Sequence, residues 1–248
     1  MNRKYFDISL WMLLGLVASI IACSDPAEEA RKEEEDRVAD SVGQAEMDQA
    51  DLLSYIESRG VDKNKIDTAS ITDNELNLVY YTILELGEGR AVLPNDILSV
   101  DFIGRFTDTV NFDTSIEEWA ITNDTIAYPA AGLDFESILD HFEGDLTKAL
   151  DSAQKTETLD YNLYVNGKSY SPFVYNHIED GSGFGGAIPG FTLGMQKLIP
   201  QLQEGGRGEI YIPSAVAYGT AGFPDGAILP NTPLVFEVRL SDIKPTRE

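Results

Sequence analysis

The sequence predicts an α+β domain: a mainly antiparallel sheet wrapped on one short α-helix, with a long segment inserted into it. Two C-terminal stretches, "GRGEIYIP" and "PLVFEVRLSDI", have the β-branched and aromatic content and the alternation of strands. "GFTLGMQKL", Gly190 to Leu198, has the spacing of one short helix. "ILSVDFIGRF", Ile97 to Phe106, alternates partly and follows the turn residues "LPND". Few helices beside several strands that can pair as neighbours give the α+β class. No repeat recurs at a fixed period.

The 248 residues allow one sizeable domain with appendages, or two small domains. Hydrophobic residues make up 43% of the chain, enough for a real core. The formal net charge of −24, with no Lys/Arg cluster that outweighs its acidic neighbours, excludes nucleic acid as a partner.

Arg3 and Lys4 precede an uncharged, mostly apolar run from Ile8 to Ala22. That run is shorter than the ~20 residues a spanning helix needs, and it suits a signal peptide over residues 1–22 with the small Ala22 before the cleavage point. Cys23, the chain's single cysteine, follows directly. "IIAC" resembles a bacterial lipoprotein signal, in which the cysteine becomes a lipid-modified N-terminus. An ordinary signal peptide, or a short anchor with an incidental cysteine, is the alternative. A mature chain without a second cysteine is held by packing and not by disulfides.

Residues 23–50 are strongly acidic and almost devoid of large apolar side chains, which reads as a solvated tether or loose helix. Acidic residues just after a lipid-bearing cysteine also resemble a surface-export signal of lipoproteins of the Bacteroidetes group. The expectation is an exported chain, lipid-anchored in the bacterial cell envelope at the outer membrane, with either face open. Residues 51–75 hold a short helix, with Leu52, Leu53 and Ile56 on one side, and a linker. From residue 76 to 248 one domain is expected, interrupted at about 116–171.

Within that domain "LNLVYYTILELGEG" reads as a strand ending in glycine-rich turn chemistry, and "NFDTS" begins another short extended piece. In the interruption, "LDFESILDHFEGDLTKALDSA" has helical spacing in two stretches around Gly144. "TLDYNLYVNGKSYSPFVYNH" reads as a hairpin turning at Asn166-Gly167.

Several chemistries lack their residues. His141 and His177 are the chain's two histidines and supply no zinc cluster. "GSGFGG", Gly181 to Gly186, satisfies a dinucleotide-type spacing, yet neither a buried strand before it nor a long helix after it supports that reading. It reads as a flexible loop. No carboxylate pair is singled out by spacing. Alternating aromatics in strands are ordinarily core residues, so spacing alone does not place them at a site.

What remains unexplained is "IPSAVAYGTAGFPDGAILPNTPLVFEVRL", Ile212 to Leu240, a Gly/Pro-dense loop that keeps apolar and aromatic residues and runs into a strand. Its "AYG" and "ILPNTPLVFEVRL" resemble the C-terminal pattern of FKBP-type peptidyl-prolyl cis-trans isomerases. "SVDFIGRF", "FDTS", "PFVY" and "AIPGF" resemble further segments of that family, in the same order. The likeness runs from about Val79 to Ile243 apart from the interruption, which separates "FDTS" from "PFVY" by more than fifty residues where the family has a short connection.

The resemblance implies an FKBP-like sheet wrapped on a short helix and rotation about Xaa-Pro bonds, without a cofactor or metal. It assigns Asp113 and Tyr218 to catalysis. It assigns Phe102, Phe112, Phe173, Ala187, Ile188, Phe191, Phe223, Ile228 and Phe236 to substrate binding. Phe102 stands where the family usually has Tyr, and Phe191 where it commonly has Trp. Ala187 and Ala227 are smaller than the usual Val and Ile. Asp113 reads equally well as a turn or cap residue. Expected partners are proline-containing polypeptides, the membrane through Cys23, and a further protein or unfolded substrate through residues 116–171. The implied role is protein folding, against the alternative of a non-catalytic binding or chaperone module that acts through the insertion.

Overall fold

A computed structural model describes residues 26–71, 77–156, 159, 161–178, 186–224 and 226–246. The signal peptide read at 1–22, Cys23, part of the linker before residue 77 and most of the loop at 181–186 lie outside these residues. The chain divides into a unit ending at Gly43 and a unit from Gln44 to Glu248. No described helix is long and apolar enough to cross a membrane.

Helix α1, Pro26–Ser58, covers most of the segment read as a tether and continues through the short helix expected after it. In the first unit its acidic residues lie in the opening turns, where the helix dipole favours negative charge. Exposed pairs such as Glu34–Arg37 (2.6 Å) add the small support of neighbours one turn apart. In the second unit the helix becomes one-sided: Ala45, Asp48, Leu52, Tyr55 and Ile56 are buried. Their spacing of three and four residues makes one stripe, and Leu52, Tyr55 and Ile56 pack on Tyr80, Tyr211 and Val235 of the sheet.

The sheet contains β1 (Ile66–Ala69), β2 (Val79–Glu85), β3 (Ile97–Phe106), β4 (Asn111–Thr114), β5 (Phe173–Asn176), β6 (Arg207–Ile212) and β7 (Leu234–Lys244). Their order is β1-β2-β6-β7-β3-β4, with β5 also on β3, and every pairing is antiparallel. Alternation sends Tyr80, Tyr211 and Val235 toward α1 and their neighbours Val79, Tyr81, Ile210, Ile212, Leu234 and Phe236 into the main core on the other face. Both faces are covered, so β6 is buried almost throughout instead of alternating apolar and polar.

The main core is closed by α5, Pro189–Leu198, which buries Phe191, Met195 and Leu198. Pro189 occupies its first turn, where the missing N–H costs nothing, after an extended Ile188. Gly190 and Gly194 face β6, and a Cβ on either would overlap the side chain of Ile212 or Ile210. The helix can lie this close to the sheet because those two positions carry no side chain.

Strands β4 and β5 share one edge of β3. Thr114 faces Ile103 and Phe173 faces Val100, three positions away along β3. The segment between them therefore leaves and re-enters the sheet at points roughly 10 Å apart. It forms three helices: α2 (Glu117–Ala130), α3 (Phe135–His141) and α4 (Leu146–Thr156). Helices α3 and α4 lie where the spacing around Gly144 expected them, whereas α2 had no counterpart in the sequence reading. The insert has its own core, including Tyr128, Phe135, Leu150 and Leu163.

The hairpin expected over 158–177 is not formed. The turn at Asn166-Gly167 is present, with Gly167 at φ 81°, but among the described residues of this segment only Phe173–Asn176 is a strand, and it pairs with β3. The backbone N–H groups that a partner strand would have satisfied go elsewhere. Leu163 and Tyr164 donate to the buried Asp124 carboxylate at 3.1 and 2.9 Å, and Val165 donates to Tyr170 Oη at 2.8 Å. Burial pushes Asp124 up, while these bonds and one from Asn123 pull it down.

Replacing Asp124 by Ala strands two N–H groups in the insert's interior, and we expect a loss of roughly 2–4 kcal/mol in urea unfolding. Asp124→Asn keeps an acceptor and should lose less. Equal losses for the two variants would contradict the role given to these hydrogen bonds.

Candidate functional site

Adjacent strands and the start of α5 enclose an aromatic cleft of about 180 Å³. Phe102 comes from β3, Phe112 and Asp113 from β4, Phe173 from β5 and Phe236 from β7. Ala187, Ile188 and Phe191 come from the entry to α5, and Tyr218 from the loop after β6. Every residue that the resemblance assigned to the cleft lines it, with the exceptions of Phe223 and Ile228.

Phe236 is the centre of the box. Its ring centroid lies 6.2 Å from Phe102, 5.7 Å from Phe112 and 5.0 Å from Phe191. Phe173 meets Phe191 edge-on at 6.3 Å. Such tilted and edge-to-face contacts are the favourable geometries for aromatic pairs.

The register explains the convergence. Gly104 is opposite Phe236 on one side and Asp113 on the other. A Cβ at Gly104 would stand 2.7 Å from the Phe112 ring and 3.2 Å from that of Phe236. This glycine belongs to the site although the sequence reading passed over it. A glycine inside the strand "SVDFIGRF" was the available signal, because a strand interior gives up packing there only for close approach or a bulge.

Tyr218 precedes a short 3-10 turn, Gly219–Ala221. Burial, and then the negative charge of Asp113, push its phenol above the usual tyrosine value. The group is therefore a protonated donor throughout the neutral range. Asp113 sits at the rim, where its Oδ1 accepts from the backbone N–H of Thr114 and from Lys168 Nζ, each at 2.8 Å. Lys168 belongs to the insert and is a second residue that sequence reasoning missed.

Phe223 and Ile228 correct the expected lining. The loop folds through two short 3-10 turns that leave Tyr218 facing inward. Phe223 is 37% exposed and sets its ring at right angles to that of Tyr218, at 5.3 Å. Ile228 is buried in the main core, and its carbonyl accepts from the Phe223 N–H at 2.8 Å. Both support the loop from outside the cleft.

Helix α1 reaches the same loop. The buried Asp48 accepts from the backbone N–H of Ser214 at 2.6 Å and from Gln44 Nε2 at 2.7 Å. Among the described residues no group of three or more His, Cys, Asp or Glu side chains could hold a metal.

A second, larger depression of about 550 Å³ lies between α2 and the β3–β4 turn, lined by Val110, Trp119, Ile126, Leu159 and Tyr161 among others. Trp119 and Ile126 are exposed there, at 39% and 66%. Rings bridge the two hollows: Tyr161 to Phe106 at 5.1 Å, and Phe106 to Phe112 at 4.8 Å.

Gly104→Ala should push Phe112 into the cleft, weaken occupancy by a small apolar ligand roughly tenfold, and lower stability by about 1–3 kcal/mol while the chain stays folded. Titration of tyrosine-free, proline-containing peptides, followed through the protein's tyrosine fluorescence, measures this. Unchanged affinity would remove Gly104 from the site.

Residues 141–241 match the family model for FKBP-type peptidyl-prolyl cis-trans isomerases. The chain is 45% identical over 60 residues to the FKBP-type peptidyl-prolyl cis-trans isomerase FkpA of Escherichia coli, covering 24% of this chain and 20% of that one. It is 43% identical over 70 residues to FK506-binding protein 1 of Eremothecium gossypii, covering 28% and 53%. To peptidyl-prolyl cis-trans isomerase Mip of Chlamydia pneumoniae it is 38% identical over 77 residues, covering 31% and 27%. The aligned part spans about a fifth of FkpA, about half of FK506-binding protein 1 and about a quarter of Mip.

Proposed function

We propose that this chain, whose residues 141–241 match the family model for FKBP-type peptidyl-prolyl cis-trans isomerases, rotates Xaa-Pro peptide bonds in the aromatic cleft and so assists the folding of exported proteins. The observation that carries the reading is the convergence of Phe102, Phe112, Phe173, Phe191 and Phe236 with Tyr218 and Asp113 around one small apolar hollow.

Rotation about the peptide bond is opposed by ~18–20 kcal/mol, because it breaks amide resonance. Free peptides consequently exchange in roughly 10–100 s. The planar amide is the more charge-separated form, and an apolar enclosure stabilises it less than water does. The twisted form, with a carbonyl more like a ketone and a pyramidal nitrogen, loses less on entering the cleft. Binding that favours the twisted form over the planar one lowers the barrier, with about tenfold in rate for each 1.36 kcal/mol. The proline ring occupies the phenylalanine box, the Tyr218 hydroxyl donates to a substrate carbonyl, and the Ile188 backbone N–H offers a second donor. Asp113 holds the polar edge of the cleft. No covalent intermediate is required.

A second reading adds to this one. The hollow beside α2 leaves Trp119 and Ile126 exposed and continues from the cleft through Tyr161, Phe106 and Phe112. It suits an apolar segment of the same unfolded polypeptide, held while a nearby proline isomerises. Lipid attachment at Cys23 would keep this activity in the cell envelope. The leader-like residues 1–22 support that form, which fatty-acid labelling with and without Cys23 tests.

Isomerisation of a short Xaa-Pro peptide by residues 44–248 should be accelerated, and Asp113→Leu and Tyr218→Phe should each lower kcat/KM roughly tenfold or more. With a proline-limited refolding protein as substrate, Trp119→Ser/Ile126→Ser should slow catalysis while leaving the short-peptide rate unchanged. A folded chain that accelerates neither substrate would end the isomerase reading. Equal effects of the double variant on both substrates would end the second.

A further inference from the structure

We infer that Lys168, carried to the rim of the cleft by the inserted helices, is a positioning residue for Asp113. The inference rests on the isomerase reading of the cleft and gives the insert a part in that reaction. Lys168 and Asp113 are 55 residues apart in the chain, and their side chains meet at 2.8 Å.

A lone ion pair between partly exposed groups is ordinarily worth little, since holding two mobile side chains together offsets most of the attraction. This pair differs in being braced from both sides. Asp113 is fixed by the pairing of β4 with β3. Lys168 follows the Asn166-Gly167 turn, and its ammonium lies 5.0 Å from the centre of the Tyr170 ring. Such a ring face attracts a cation.

Tyr170 is itself anchored: its hydroxyl donates to the Leu163 carbonyl at 2.6 Å and accepts from the Val165 N–H at 2.8 Å. The next two links lead to α2, where the Asp124 carboxylate takes the N–H groups of Leu163 and Tyr164. A rigid bracket thus runs from the interior of the insert to the edge of the cleft. It consists of Asp124, the backbone of 163–165, Tyr170, Lys168 and finally Asp113.

The consequence lies in which carboxylate oxygen is held. Both bonds to Asp113, from Thr114 N–H and from Lys168 Nζ, fall on Oδ1. Among the described residues Oδ2 accepts no hydrogen bond. Two donors on one oxygen stop the carboxylate from turning about its Cβ–Cγ bond and keep Oδ2 as the edge available to substrate. The ammonium also offsets a negative charge that would otherwise repel an approaching amide oxygen, in a chain whose net charge of −24 adds to that repulsion. Lys168 therefore acts through Asp113 and makes the rim compatible with a peptide carbonyl.

The test compares wild type, Lys168→Met and Lys168→Arg on a short Xaa-Pro peptide, with near-ultraviolet circular dichroism to establish that each variant is folded. At low salt Lys168→Met should lose roughly three- to fivefold in kcat/KM, and Lys168→Arg should recover much of it. At about 1 M salt, where the screening length shrinks to ~3 Å, wild type should fall toward the methionine variant while that variant changes little. In an Asp113→Leu background Lys168→Met should have no further effect, because the two residues act as a unit.

Unchanged or faster turnover by a folded Lys168→Met overturns the inference, the faster case marking the pair as a latch that withholds Asp113. A full additional loss in the Asp113→Leu background overturns it as well. A folded wild type without isomerase activity overturns the isomerase reading itself, and this role with it, so the two failures are distinguishable.

Discussion

The pairing of β3 along both of its edges is the constraint from which the rest of the molecule follows. One edge is taken by β7 for the full length of β3, and the other is divided between β5 and β4, laid end to end. This arrangement brings Phe102, Phe112, Phe173 and Phe236 from four strands onto one hollow. It also leaves a gap of two residues of β3, Asp101 and Phe102, between β4 and β5, through which a whole helical insert departs and returns without breaking the sheet. Closing so long an insert costs only slightly more chain entropy than closing a short connection, because the closure cost grows with the logarithm of loop length. Its turn at Asn166-Gly167 brings Lys168 beside Asp113, the penultimate residue of β4. The proximity of Lys168 to Asp113 is therefore a product of sheet topology as much as of charge.

A second tension is electrostatic. For the proposed rotation the cleft has to be dry enough to disfavour the planar amide, yet it carries a carboxylate at its rim and belongs to a strongly acidic chain. The structure resolves this by grading the environment. Aromatic rings make the floor, and Tyr218, with its phenol pushed upward by burial and by Asp113, stays neutral and able to donate. The charged group is kept at the exposed edge, and there it has a cation beside it. The loop bearing Tyr218 is supported from behind by the Asp48 carboxylate of α1 and by the ring of Phe223. The helix preceding the domain thus helps hold the loop that bears Tyr218.

Much of the cleft was legible in the sequence because its lining residues sit in short ordered motifs, "SVDFIGRF", "FDTS", "PFVY", "AIPGF" and "AYG", whose resemblance fixes their meeting. Strands β2, β3, β6 and β7 and helix α5 were legible from their patterning, whereas β1, Ile66–Ala69, lies in the segment read as a linker. Residues whose role depends on a distant partner were not. Lys168 looks like any polar turn residue until Asp113 is beside it, and Asp48 like one more acid in an acidic helix. Gly104 gains its meaning only from two rings brought over it. Phe223 and Ile228 were misplaced because motif position does not reveal how the 3-10 turns of the loop direct side chains. The hairpin over 158–177 failed for a related reason, since Asp124, far away on α2, takes the hydrogen bonds that a partner strand would need. Helix α2 itself, "EEWAITNDTIAYPA", carries four β-branched residues, two Thr and two Ile, beside one Asn, and has Pro129 inside its last turn. Burial of Ala120, Asp124 and Tyr128 in the insert's core holds it together more than intrinsic propensity does.

The central claim, that the aromatic cleft is where an Xaa-Pro bond turns, is tested most directly by two-dimensional exchange NMR of a labelled proline peptide with a small amount of the chain. The same samples report on the protein's aromatic side chains. The account predicts cis–trans exchange peaks at mixing times too short for the free peptide, with perturbed signals from Phe236, Phe112 and Tyr218. Exchange accompanied by perturbations confined to Trp119 and Tyr161, or perturbation of the cleft without any exchange, would contradict it.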